Sequence, residues 1–196
     1  MQMDGFACFM TSHQPVIIQE LHGELSLHDV EKWVVIHCKP RTEKKLACYL
    51  RTLDMTHYLP TGNSEHLYKY RKVTFQKPLF PGYLFVRLKE QDKQKIVVTG
   101  HTVGFIKVPE QEELVRELKA IYLSGQTEHK AEPAIWLESG IAVEIVSGPL
   151  KGVQGIVESQ SDPLYVNLQV SILHSAVRIK VKSGDLMIPG ANKQEY

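Results

Sequence analysis

Two kinds of apolar pattern divide this chain. In the first half, compact apolar runs alternate with helical spacing. Trp33-Val34-Val35-Ile36-His37-Cys38 reads as a buried strand. Pro40 then suits the first turn of a helix, and Leu46, Ala47, Leu50 and Leu53 place one apolar face on it. Tyr58-Leu59-Pro60 is short and extended, and Thr61-Gly62-Asn63-Ser64 carries turn chemistry. Leu67 to Phe75 is a basic, aromatic strand or hairpin arm. Lys77-Pro78-Leu79-Phe80-Pro81-Gly82 is a stiff bend that opens into the unbroken strand formers Tyr83-Leu84-Phe85-Val86. Asp92 is placed to cap a short helix ending at Gly100, and Val103 to Val108 forms another strand. A helix follows Pro109. Glu110, Glu112 and Glu113 sit in its first turn, Leu114, Leu118 and Ile121 line one face, and Gly125 stops it.

In the second half the period becomes two. Ile141, Val143 and Ile145 alternate with Ala142 and Glu144, and two further runs, Tyr165 to Ile172 and Val177 to Lys182, behave alike. Gly148-Pro149, Gly152, Gly155 and Asp162-Pro163 punctuate these strands. The pattern predicts an α+β domain, an antiparallel sheet with flanking helices, followed by a small all-β barrel. Residues 1–30 read as a flexible or loosely packed extension, 31–124 as the first domain, 125–136 as a linker and 137–190 as the barrel. The two-residue period and the glycines and prolines favour strands over helices throughout that barrel.

Charge adds a location. The chain carries a net charge of only +1, yet residues 39–95 hold 13 Lys/Arg against 5 Asp/Glu, while both flanks are acidic. A basic segment is suited to nucleic acid, and it is equally a solvated face. The aromatics Phe80, Tyr83 and Phe85 are either core or a partly open docking surface.

Other chemistry finds little purchase. No apolar run reaches the roughly 20 residues that span a bilayer. Cys8, Cys38 and Cys48 form no C-x-x-C spacing, which predicts reduced thiols and no metal site in a cytoplasmic protein. There is no Gly-x-Ser-x-Gly, P-loop, His-Glu-x-x-His or dinucleotide fingerprint, so neither an enzyme nor a cofactor is expected.

Val143 to Val157, with Gly148-Pro149-Leu150-Lys151-Gly152 and Gly155, resembles the KOW motif of ribosomal proteins and transcription elongation factors. Gly152 and Gly155 stand where a side chain would obstruct a turn or a close backbone approach. Together with Trp33-Val34-Val35, Phe80-Pro81-Gly82-Tyr83 and Val103-Gly104-Phe105-Ile106, it makes residues 31–188 similar to the NusG family. Pro78 to Val86, Cys38-Lys39 and Arg41-x-Glu43-Lys44-Lys45 resemble its RfaH-like branch, including paralogues that serve polysaccharide operons.

The resemblance implies a monomeric regulator of pausing, termination or antitermination. Its first domain, the NGN domain, would bind the clamp helices of bacterial RNA polymerase through Phe80, Pro81, Tyr83 and Phe85. By the same resemblance, Lys39, Arg41, Thr42, Lys44, Lys45, Tyr49 and His101 would meet the non-template DNA strand. The KOW domain would recruit Rho or a small-subunit ribosomal protein through Ile172 and Leu173. Two departures stand out. Lys93-Gln94-Lys95 lacks the polar gate-loop contact of RfaH, and His174 and Ser175 replace a glycine and an arginine of housekeeping NusG, which leaves the KOW partner open. An RNA- or ribosome-binding KOW protein without a polymerase role is the alternative.

Overall fold

The computed structural model describes residues 18–68, 71–127, 131–134, 140–157 and 164–189. In chain order the regular elements are β1 (Leu21–His22), β2 (Lys32–Cys38), α1 (Glu43–Thr52), β3 (His57–Tyr58), β4 (Thr61–Tyr68), β5 (Arg71–Pro78), β6 (Tyr83–Leu88), α2 (Lys93–Val97), β7 (Thr102–Lys107) and α3 (Gln111–Gly125). The second domain follows with β8 (Glu132–Ala134), β9 (Ile141–Ile145), β10 (Gln154–Val157), β11 (Leu164–Val170), β12 (Ser175–Val181) and β13 (Leu186–Met187).

The first domain is built on an antiparallel sheet ordered β1-β3-β6-β2-β7. Its central strands β2 and β6 are covered on both faces, which is why their apolar runs have no polar break. Val34, Ile36, Cys38, Leu84, Val86 and Leu88 pack with Leu46, Ala47 and Leu50 of α1 and Ile96 of α2. Trp33, Val35, Tyr58 and Phe85 share the other cluster with Leu114, Leu118 and Ile121 of α3. The acidic first turn and apolar face of α3 are as the spacing predicts. Among the described residues β4 and β5 pair only with each other, as a two-stranded ribbon.

Four local expectations change. Residues 20–26 are packed: β1 pairs with β3, Leu25 is 3% exposed, and the Trp33 indole N–H donates to the Ser26 carbonyl at 2.9 Å, while residues 27–30 are exposed. Residues 1–17 lie outside the described residues. Thr61 to Ser64 is strand, because its register against Phe75 to Pro78 supplies ladder partners that local turn chemistry cannot outcompete. Leu53 lies just beyond α1 and is partly exposed. The expected linker contributes β8, which pairs with β12, so residues 132–134 belong to the second domain.

That second domain is a six-stranded antiparallel sheet ordered β13-β9-β10-β11-β12-β8. The alternation is realised: Val143, Ile145, Val166, Leu168, Val170, Val177, Ile179 and Val181 are all buried. Asn167, on the opposite face of β11, is also buried. β11 lies against α3, and Asn167 helps line the cleft between them.

Candidate functional site

The aromatic loop between β5 and β6 is held by backbone bonds from three directions. Leu79 N–H donates to Pro60 O at 2.9 Å, Tyr83 N–H to Phe80 O at 3.1 Å, and Cys38 N–H to Gly82 O at 2.7 Å. Gly82 has φ +86, which lets the chain reverse without a Cβ penalty. Its N–H donates to the Glu43 carboxylate at 2.8 Å, and Glu43 is itself buried. Glu43 thus ties the start of α1 to the loop. Its place in a basic run, Arg41 to Lys45, gave no hint of this in the sequence.

The candidate polymerase-binding aromatics separate. Phe80 is 3% and Phe85 0% exposed, and their rings meet edge to face with centroids 6.1 Å apart. Leu84 and Val86 are core, and so are Phe80 and Phe85, so of the two readings of these aromatics the core one holds for Phe80 and Phe85. Alternation does send Phe85 to the opposite face, but α3 covers that face too. Tyr83 is half-buried, Pro81 exposed, and the Tyr83 ring stacks on exposed His37 at 5.3 Å. The apolar run predicts a buried strand through His37. Plain alternation sends His37 to the face of Trp33 and Val35, where it is exposed, and Cys38 to the buried face of Val34 and Ile36.

Burial, and secondarily the Glu43 charge, push the Cys38 thiol up to about 12, which suits an inert core residue. Neither Cys38 nor Cys48 is in a disulfide. Among the described residues no group of three or more His, Cys, Asp or Glu could hold a metal ion. No helix there is long and apolar enough to cross a membrane.

The candidate DNA-binding residues also divide. Lys39, Thr42 and His101 come together where the β2–α1 loop meets the start of β7. Lys39 N–H donates to His101 O at 2.8 Å, and the Thr42 hydroxyl donates to Lys39 O at 2.7 Å and lies 3.3 Å from His101 O. Thr42 is thus already used in holding the loop. Lys45 is exposed on α1, and the Tyr49 hydroxyl on the same flank donates to Lys95 O at 3.3 Å. Arg41, with φ +62, and Lys44 face the other way, into a cleft shared with Lys77. Lys44 is half-buried there, and desolvation lowers its pKa.

In the second domain the Gly-Pro loop is a tight, hydrogen-bonded turn. Gly148 and Gly152 have φ +73 and +87, Lys151 N–H donates to Gly148 O at 3.2 Å, and Gly152 N–H to Ile145 O at 2.7 Å. Leu150 is buried, while Pro149 and Lys151 are exposed. A Cβ on Gly155 would stand 2.4 Å from Val166 Cγ1 and 2.9 Å from Asn167 O, so the close approach is real. His174 adopts φ 44, ψ 45, a left-handed conformation that glycine would hold more easily.

Ile172 and Leu173 are half-buried, and their neighbour Ser171 is clasped by α3. Ser171 N–H and hydroxyl donate to the Glu117 carboxylate at 3.0 and 2.6 Å, and the hydroxyl also lies 3.3 Å from Glu113 Oε1. Burial, with a smaller contribution from the neighbouring Glu113 charge, raises the Glu117 pKa. Neither acid was singled out as a contact residue from the sequence, since both read as ordinary helix-surface charges.

Residues 31–121 match the family model described as "Transcription termination factor nusG". No curated protein matches the chain. A solved structure described as "Domain interaction in Thermotoga maritima NusG" is 17% identical over 81% of this chain and 97% of that one, with a TM-score of 0.49. "Crystal Structure of MjSpt4:Spt5 complex conformation B" is 15% identical over 80% and 96%, with a TM-score of 0.26.

Proposed function

We propose that this protein is a NusG-type regulator of transcription elongation, acting by recognition and not by bond-making. The match of residues 31–121 to the nusG family model carries the reading. The first domain docks on the clamp helices of RNA polymerase at the loop bearing Phe80, Pro81, Tyr83 and Phe85. Tyr83, Pro81 and the stacked His37 supply its accessible surface, and the buried Phe80–Phe85 pair holds that surface in shape. A helix pair resting on such a surface follows the helix-in-groove mode.

Lys39, Lys45, Tyr49 and His101 form the face turned to the non-template strand. The lysines hold phosphates, and Tyr49 offers a ring for a base. The KOW-like domain recruits its partner, Rho or a small-subunit ribosomal protein, through Ile172 and Leu173. The clasp of Ser171 by Glu113 and Glu117 means that such a partner competes with α3 for this loop. The consequence for transcription is a change in pausing, termination or antitermination.

The test is binding of the full chain to a clamp-helix fragment, with Tyr83→Ala and His37→Ala as probes. His37 is exposed and Tyr83 only half-buried, so folding should persist. Loss of binding by about tenfold or more supports the assignment, on the scale of an interface hot spot. Unchanged binding in both folded variants refutes it.

A further inference from the structure

A cleft of about 760 Å³ opens between the start of α1, the base of the β4–β5 ribbon, the aromatic loop and the strand that begins the second domain. Its volume is that of a small-ligand site. Three cations reach it from separate elements: Arg41 and Lys44 from the α1 side, and Lys77 from β5. Its apolar lining comes from Pro78, Leu79 and Pro81. The far wall is Ala131 to Pro133, so both domains build it.

That wall is closely fitted. A Cβ on Gly62 would stand 2.9 Å from Leu79 Cδ2 and 3.1 Å from Ala131 O, so the absence of a side chain there admits the connecting strand. The acids at the cleft are already engaged. Glu43 accepts the Gly82 N–H, and Glu132 is bridged by Arg178 at 2.9 Å. Three cations against two acids, one of which is paired with Arg178, leave the cleft a surplus of positive charge above an apolar floor. It lies on the side of α1 away from Lys45 and Tyr49, neither of which lines it.

We propose that this interdomain cleft binds a nucleoside di- or triphosphate, with the phosphates on Arg41, Lys44 and Lys77 and the base over Pro78, Leu79 and Pro81. Arg and Lys together suit this chemistry: a guanidinium holds phosphate oxygens in pairs, and an ammonium acts as a point charge. A ligand seated against Ala131 to Pro133 would fasten the second domain to the first. The proposal does not depend on polymerase docking.

Calorimetric titration of the full chain with guanosine and adenosine di- and triphosphates tests it. Pyrophosphate and free guanosine serve as charge-only and ring-only probes. The expected result is saturable binding of the nucleoside polyphosphates, weaker binding of pyrophosphate, and weaker still of guanosine. Arg41→Ala with Lys77→Ala, both at exposed side chains, should weaken it by about tenfold or more, since each removes a charge-assisted contact. Lys45→Ala with Tyr49→Ala should leave it unchanged. The proposal is overturned if no nucleoside polyphosphate binds, or if binding survives the Arg41/Lys77 change. It is also overturned if only a single-stranded oligonucleotide binds in an Arg41- and Lys77-dependent way, which would make the cleft part of a nucleic-acid track.

Discussion

Removing the Glu43 carboxylate should loosen the aromatic loop from α1 at a measurable cost. Glu43 is 6% exposed and accepts the Gly82 N–H at 2.8 Å. In Glu43→Ala that donor loses its partner in a largely buried setting. A hydrogen bond to a charged group contributes about 1.5–3 kcal/mol, and a stranded buried donor costs a similar amount. Glu43→Gln keeps a carbonyl oxygen at the same reach, so it should cost about 1 kcal/mol or less. In urea unfolding, a loss of about 2 kcal/mol corresponds to a midpoint about 1 M lower. The two variants should therefore separate clearly, with unchanged slopes. The loop should report the change as well, through faster hydrogen exchange at the Gly82 amide in Glu43→Ala alone. If Glu43→Ala unfolds at the wild-type urea concentration, or if Glu43→Gln is equally destabilised, the carboxylate is not what holds the loop.

Other outcomes follow from single sites. Leu84→Ala should cost about 2–5 kcal/mol, because Leu84 is 0% exposed between the sheet and α1, whereas Tyr83→Ala should cost binding more than stability; urea unfolding beside the clamp-helix assay separates the two. His57 is buried, with Nδ1 2.8 Å from Met55 O, and burial lowers its pKa from 6.5 to about 4, assisted by the His22 and Arg51 charges. The unfolded chain binds that proton first, so about 3 kcal/mol of stability present above pH 6.5 should disappear as pH falls to about 4, and a His57→Gln variant should show a shallower acid slope in pH-dependent unfolding. Gly155→Ala should destabilise the second domain by about 1–3 kcal/mol, since its Cβ meets Val166 and Asn167 across the β10–β11 pair; an unchanged melting temperature would contradict the packing.

Local pattern was enough to place most elements. The two-residue alternation from Ile141 to Val181 specifies strands, because one face of each must be apolar to meet a core. The acidic first turn and apolar face of α3, and the glycines at turns with positive φ, are likewise properties of neighbouring residues. The basic character of residues 39–95 and the aromatic loop could be read directly as candidate surfaces.

Which of those residues remain at the surface was decided by contacts distant in sequence. Phe85 is core because α3, some thirty residues on, covers the face to which alternation sends it. Residues 20–26 are packed because β1 finds β3 and Ser26 finds Trp33, partners that no local period reveals. Lys44 is turned away from Lys45 and Tyr49 by the cylindrical geometry of α1, Arg41 joins it from the loop before the helix, and Lys77 joins them only through the register of the β4–β5 ribbon. The clasp of Ser171 by Glu113 and Glu117 exists only once the two domains meet. Periodicity constrains which way a side chain points relative to its own backbone. What it points at depends on chain segments that the same window does not contain.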